Sequence, residues 1–184
     1  MGYSCTYLFI NNKMKEGKIL IISVKEIIKF IISILIPLIV GYTSAFISKI
    51  LTVIDISTYY SQLIKPGFAP PSSIFPIIWI IIYILMGISA YIITKKGCSL
   101  SKIKDSMFYY YLQLGLNFLW MILFFGLDLR FTAFVDLIIL IIVIIVMIIK
   151  FYKIDKKASY INIPNLIWSL YALILNYFIW IINR

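Results

Sequence analysis

The chain has 184 residues, 63 % of them hydrophobic, with a net charge of +10 and no histidine. A soluble domain of this length cannot bury so much apolar surface, so the composition excludes an ordinary globular protein and indicates an integral membrane protein. The lack of histidine removes the commonest metal ligand, general base and haem axial ligand, and no metal site or catalytic group is assigned.

Residues 1–26 mix apolar patches with Lys13, Lys15, Glu16, Lys18, Lys25 and Glu26, and show no small-residue cleavage site behind a clean apolar core. They are expected to form a cytoplasmic, partly disordered N-terminal extension to a membrane domain over 27–184. Five apolar segments, about 27–48, 74–94, 106–126, 131–150 and 159–182, reach the roughly 20 residues that a helix needs to cross a hydrocarbon core of about 30 Å. The links between them are short and polar, which predicts one all-α, five-helix transmembrane bundle. The unbroken apolar run Leu137–Ile149 lacks the alternation of a membrane strand.

The first span places Ser33, Pro37, Gly41 and Ala45 at intervals of four, a face of small residues that lets helix backbones approach closely in lipid. It leads into the loop Lys65-Pro66-Gly67-Phe68-Ala69-Pro70-Pro71, where the prolines fix φ and stiffen the chain. The loop is either a lid, with Lys65, Pro66, Pro70 and Pro71 as its stiff part, or a connector whose prolines stop one helix and start the next. The second span carries Trp79 and Tyr83, then Gly87 and Ala90, at helical spacing.

In the third span Gln113, Asn117 and Trp120 share one face. Two amides in lipid need partners, either as interhelical hydrogen bonds or as polar anchors in a ligand cavity. Asp136 is the one acid well inside a span and reads as structural. The fifth span repeats Trp168, Ala172 and Asn176 at intervals of four, a flat indole, a gap and an amide that suit either a flat apolar ligand with one polar group or tight helix packing.

Thirteen of the seventeen basic residues, among them Lys25, Lys29, Lys95, Lys96, Lys102, Lys104, Lys150 and Lys153, fall on one side of a five-span arrangement. The charge is therefore an orientation signal and no nucleic-acid footprint. It predicts a cytoplasmic N-terminus, with the loop 49–73 and the C-terminus outside, in a multi-pass plasma-membrane protein. Cys5 and Cys98 land on the predicted cytoplasmic side and are expected as reduced thiols.

Three groups of residues together resemble the TspO/MBR family of translocator proteins. Tyr60, Leu63, Lys65-Pro66, Pro70-Pro71, Phe75, Trp79, Tyr83, Met86-Gly87 and Ala90 are similar to its first loop and second helix. Tyr110, Gln113-Leu114, Leu116-Asn117, Trp120 and Phe124-Phe125 resemble its third helix. Ala133, Val135-Asp136, Pro164, Leu166, Trp168, Ala172 and Leu175-Asn176 resemble its fourth and fifth.

The resemblance implies a five-helix bundle, commonly a homodimer, whose cavity lies under loop 62–73 and binds porphyrins such as protoporphyrin IX or haem as ligands, with no cofactor required. Carried over by position, the pocket residues would be Tyr60, Phe68, Trp79, Asn117, Trp168 and Ala172, and the amides Gln113 and Asn176 join them as ligand-binding candidates from their places on the same helix faces. Sensing or regulation leads among the implied roles, with porphyrin transport as the alternative and light-dependent porphyrin degradation behind both. Phe68 stands where the family usually has tryptophan, which weakens a mechanism built on paired tryptophans. Six residues between Tyr177 and Arg184 break the sterol-recognition spacing.

Overall fold

The structure is a computed structural model and describes residues 24–184, so the expected extension lies outside the described residues up to position 23. It contains α1 (Val24–Thr52), α2 (Ile56–Gln62), α3 (Ile74–Lys95), α4 (Leu100–Met121, continued by a π-helical turn, Ile122–Gly126), α5 (Arg130–Tyr152), α6 (Lys156–Ile161) and α7 (Ile163–Ile182). Five segments, 24–52, 74–95, 100–126, 130–152 and 156–182, are long and apolar enough to span a bilayer. The protein is a multi-pass, all-α membrane protein.

The Ile- and Val-rich α5 would be a mediocre helix in water. In lipid, each backbone N–H and C=O must be bonded within its own segment, and that requirement overrides side-chain propensity. Pro164 sits in the first turn of α7, where its missing N–H costs nothing. Asp155 caps α6 by accepting a hydrogen bond from the Ala158 N–H at 3.0 Å.

The helices run past the apolar windows at several ends. Residue 106 is the expected start of the third span, yet α4 begins at Leu100. Its polar first turns stay helical beyond the apolar window, and Asp105 pairs with Lys150 of α5 at 2.5 Å. Hydropathy marks where lipid begins, and helices do not have to stop there. Cys98, expected as a free thiol, is disulfide-bonded.

α1 packs against α3 with its backbone nearly touching. A Cβ on Gly87 would lie 2.5 Å from Ile34 Cα and 2.6 Å from the Ser33 oxygen. At the end opposite the proline loop, α6 is stitched to its neighbours: Ser89 donates to the Ala158 carbonyl at 2.8 Å, and Ser159 to the Ile148 carbonyl at 2.9 Å. Asn162 donates to both Ser89 Oγ and the Ala158 carbonyl. The core falls into two clusters, one around Tyr60, Trp120, Phe125 and Leu140, the other around Tyr83, Met86, Tyr110 and Phe151.

Candidate ligand cavity

A cavity of about 500 Å³ opens between α1, α2, α3 and α4. Gly41, Ser44 and Ala45 of α1 form one wall, Trp79 and Tyr83 of α3 a second, and Asn117, Trp120 and Phe125 of α4 and its π-turn a third. The space exists because α1 is small here. A Cβ on Gly41 would come within 2.1 Å of the Tyr83 ring. The indole of Trp79 stacks on Tyr83 at 5.5 Å between centroids and lies 6.1 Å from Trp120, tilted by 35°.

The π-turn helps to shape the third wall. Widening the helix frees a carbonyl from the regular ladder, and Ser48 of α1 donates to the Met121 oxygen at 3.0 Å. In the same turn Phe125 reaches the cavity while Phe124 packs on Trp120.

One polar atom stands out on these walls. Asn117 is 2 % exposed. Its Nδ2 donates to the Gln113 carbonyl at 3.0 Å, while its Oδ1 has no partner among the described residues. An unpaired buried carbonyl costs roughly 1–3 kcal/mol, which a ligand N–H or O–H would recover.

Tyr60 roofs the cavity. Its hydroxyl donates to the Pro70 carbonyl at 3.1 Å, and its own carbonyl accepts from Lys65 Nζ at 2.9 Å. The Lys65 ammonium also sits 4.7 Å above the Tyr60 ring. Burial pushes the Tyr60 phenol up to about 12, so it remains a donor at neutral pH.

Of the eight ligand-binding residues expected from the sequence, Tyr60, Trp79 and Asn117 line this cavity. Ala172 and Asn176 line a much smaller crevice, which shares Tyr60, Phe75, Trp120 and Phe125 with the main cavity. Asn176 is engaged there, accepting from Trp120 Nε1 at 3.2 Å and donating to the Arg130 carbonyl at 2.9 Å. Gln113 is fully buried and accepts from Asn165 Nδ2 at 2.8 Å, an interhelical bond between α4 and α7. Trp168 lies behind Phe75, edge to face at 5.9 Å.

Phe68 is half-exposed and packs on Phe178 and Tyr171 of α7; the Tyr171 hydroxyl donates to its carbonyl at 3.0 Å. Pro66 and Pro71 accept turn bonds from Ala69 and Ile74. None of Lys65, Pro66, Pro70 and Pro71 lines the cavity, and Lys65 and Pro70 act on it through Tyr60. The contribution of α1 is what sequence reasoning missed. Gly41 and Ala45 read as part of a packing seam, and only the opposing aromatic rings show that this half of the seam borders a space.

Five membrane-spanning helices, three of which wall an apolar cavity roofed by Tyr60, define a small polytopic membrane protein. The chain belongs to the TspO/MBR family, whose family model matches residues 33–181. It is 39 % identical over 159 residues to the tryptophan-rich protein TspO of Archaeoglobus fulgidus, covering 86 % of this chain and 99 % of that one. It is 33 % identical over 127 residues to the translocator protein of Ovis aries, 68 % of this chain and 75 % of that one. With the tryptophan-rich sensory protein of Cereibacter sphaeroides it shares 29 % identity over 119 residues, 65 % of this chain and 73 % of the relative.

Proposed function

We propose that the protein is a membrane sensor or regulator that binds a tetrapyrrole such as protoporphyrin IX in the cavity between α1, α3 and α4. One observation carries this reading: a cavity of about 500 Å³ walled by the rings of Trp79, Tyr83 and Trp120 holds a buried acceptor, Asn117 Oδ1, that has no partner among the described residues. Flat rings offer stacking faces to a macrocycle, and the acceptor suits a pyrrole N–H. Relatives named as sensory proteins support a regulatory role. The proposal includes a plasma-membrane location, a cytoplasmic N-terminus and a homodimer, the orientation resting on the lysine asymmetry.

Protoporphyrin titration in detergent is the test. Binding should quench tryptophan fluorescence, and Trp79→Ala and Asn117→Leu should each weaken it. Unchanged binding curves for both variants would remove this cavity as the site. Net flux of porphyrin across liposomes would make the protein a transporter.

One feature favours light-dependent degradation as a second reading. Trp79 and Trp120 form an indole pair on the cavity wall, so the pairing does not depend on position 68. Loss of porphyrin absorbance under light that scales with protein and disappears in Trp120→Phe would support it.

A further inference from the structure

The cavity has a side as well as a roof. Two of its lining residues, Tyr42 of α1 and Ile80 of α3, are 73 % and 51 % exposed. At a rise of about 1.5 Å per residue, Tyr42 stands roughly 15 Å along α1 from Thr52 and Ile80 roughly 9 Å along α3 from Ile74. Half a hydrocarbon core is about 15 Å thick, so both side chains face acyl chains rather than water. We infer that the cavity is loaded sideways from the leaflet on the loop side, through a slit between α1 and α3 flanked by Tyr42 and Ile80.

Three observations converge on this slit. The contact that brings the backbone of α1 against that of α3 sits deeper in the bundle, at Gly87 against Ser33 and Ile34, whereas nearer the loop Gly41 of α1 meets only the ring of Tyr83, a side chain on the cavity wall. On the loop side Tyr60 covers the apolar part of the cavity, 3 % exposed and bonded to Pro70. The upper rim of the cavity is polar, with exposed Asp55 and Ser57 bonded at 2.9 Å and Lys49 3.4 Å from the Asp55 carboxylate. A slit that is apolar at depth and polar at headgroup level takes an amphiphile dissolved in the membrane, with its flat apolar body towards Trp79 and its polar end near Asp55. An apolar gap facing lipid exposes no unsatisfied backbone and carries little penalty.

As to the ligand, this inference rests on the binding reading above, so the opening is tested without one. In Trp168→Phe/Trp180→Phe protein, Trp79 and Trp120 are the remaining indoles. Reconstituted in phosphatidylcholine brominated in mid-chain, this protein should show strong quenching of both. Ile80→Phe and Ala45→Phe, which plug the slit from either side, should abolish most of that quenching. Tyr42→Ala, which removes a lipid-exposed ring and needs no repacking, should increase it. Absent quenching in the unplugged protein, or quenching that none of the three changes alters, overturns the inference.

A second arm delivers protoporphyrin IX from preloaded vesicles. Uptake should slow in the plugged variants, and uptake as fast as in the parent also overturns the route. If porphyrin binds to no variant while the brominated-lipid result holds, the tetrapyrrole reading fails and the slit stands.

Discussion

Asn183 grips the backbone of Ile64 with both atoms of its carboxamide: the Ile64 N–H donates to Oδ1 at 3.0 Å, and Nδ2 donates to the Ile64 carbonyl at 2.8 Å. The Asn183 carbonyl in turn accepts from the Arg130 guanidinium at 2.9 Å, and the Arg130 carbonyl accepts from Asn176, which holds Trp120 on the cavity wall. The start of the proline loop is thus tied to the cavity through one continuous hydrogen-bonded path.

Asn183→Ala should cut this path at the loop. Neutral hydrogen bonds contribute about 0.5–1.5 kcal/mol each, less where exposed. The global melting temperature should therefore barely move, while amide exchange over 63–72 accelerates. Exchange in the loop equal to that of the parent would show that the tie does not hold it.

A second tie runs from α2 to the turn after α4. The Tyr59 hydroxyl donates to Asp128, which also meets Arg130 at 2.7 Å. Asp128 adopts φ 56°, a left-handed conformation that aspartate tolerates better than most residues. Burial first, and the Asp128 carboxylate second, push the Tyr59 phenol up to about 12. The unfolded phenol ionises near 10, so this contribution to stability is fully present below pH 10 and is lost as pH rises through about 12. Melting temperatures in detergent should fall along that alkaline limb, and Tyr59→Phe should flatten it. An equally steep fall in the Phe variant would assign the limb to another group.

The two glycines of the α1–α3 interface should respond differently. Gly87 faces backbone, which cannot step aside, so Gly87→Ala must push the helices apart at a cost of about 1–3 kcal/mol. Gly41 faces the ring of Tyr83, a side chain bordering the cavity, which can swing into that space. Gly41→Ala should therefore spare thermal stability and weaken ligand binding, whereas Gly87→Ala should lower the melting temperature. Equal losses of stability in the two variants would contradict this assignment.

Spans were legible because lipid imposes a length and a composition that no tertiary contact can override. Which face meets what was not. Ser33, Gly41 and Ala45 repeat with one period, yet Ser33 meets the backbone of Gly87 while Gly41 and Ala45 border the cavity, and the difference is made on α3. Gln113 and Asn117 share a face of α4, but one turn of helix, about 5.4 Å, separates a carboxamide that bonds Asn165 from one whose oxygen is left open. Phe68 was placed near the ligand by resemblance, and in the structure the Tyr171 hydroxyl and the Phe178 ring hold it against α7. Loop geometry of that kind depends on partners more than a hundred residues away in the chain.

Pro70 acts on the cavity through its bond to Tyr60, and that narrows what the stiffness of the loop can do. Pro70 presents its carbonyl to the Tyr60 hydroxyl, and Pro71 accepts the Ile74 N–H that starts α3. Replacing both by glycine keeps these carbonyls but enlarges the ensemble of open loops, at about 0.4–1 kcal/mol per proline. The roof should then open more often, giving faster porphyrin release and weaker binding with α1, α3 and α4 still folded. Tyr60→Phe should reproduce the faster release, because it removes the bond to Pro70 and keeps the ring. Combined with the glycine changes it should add little, since both act on the same contact. Release kinetics by stopped-flow on the parent, the two variants and the combination give the coupling. Fully additive effects would mean that the loop stiffens the site by a route other than Tyr60, and parental release in the glycine variant would make the loop a connector between α2 and α3.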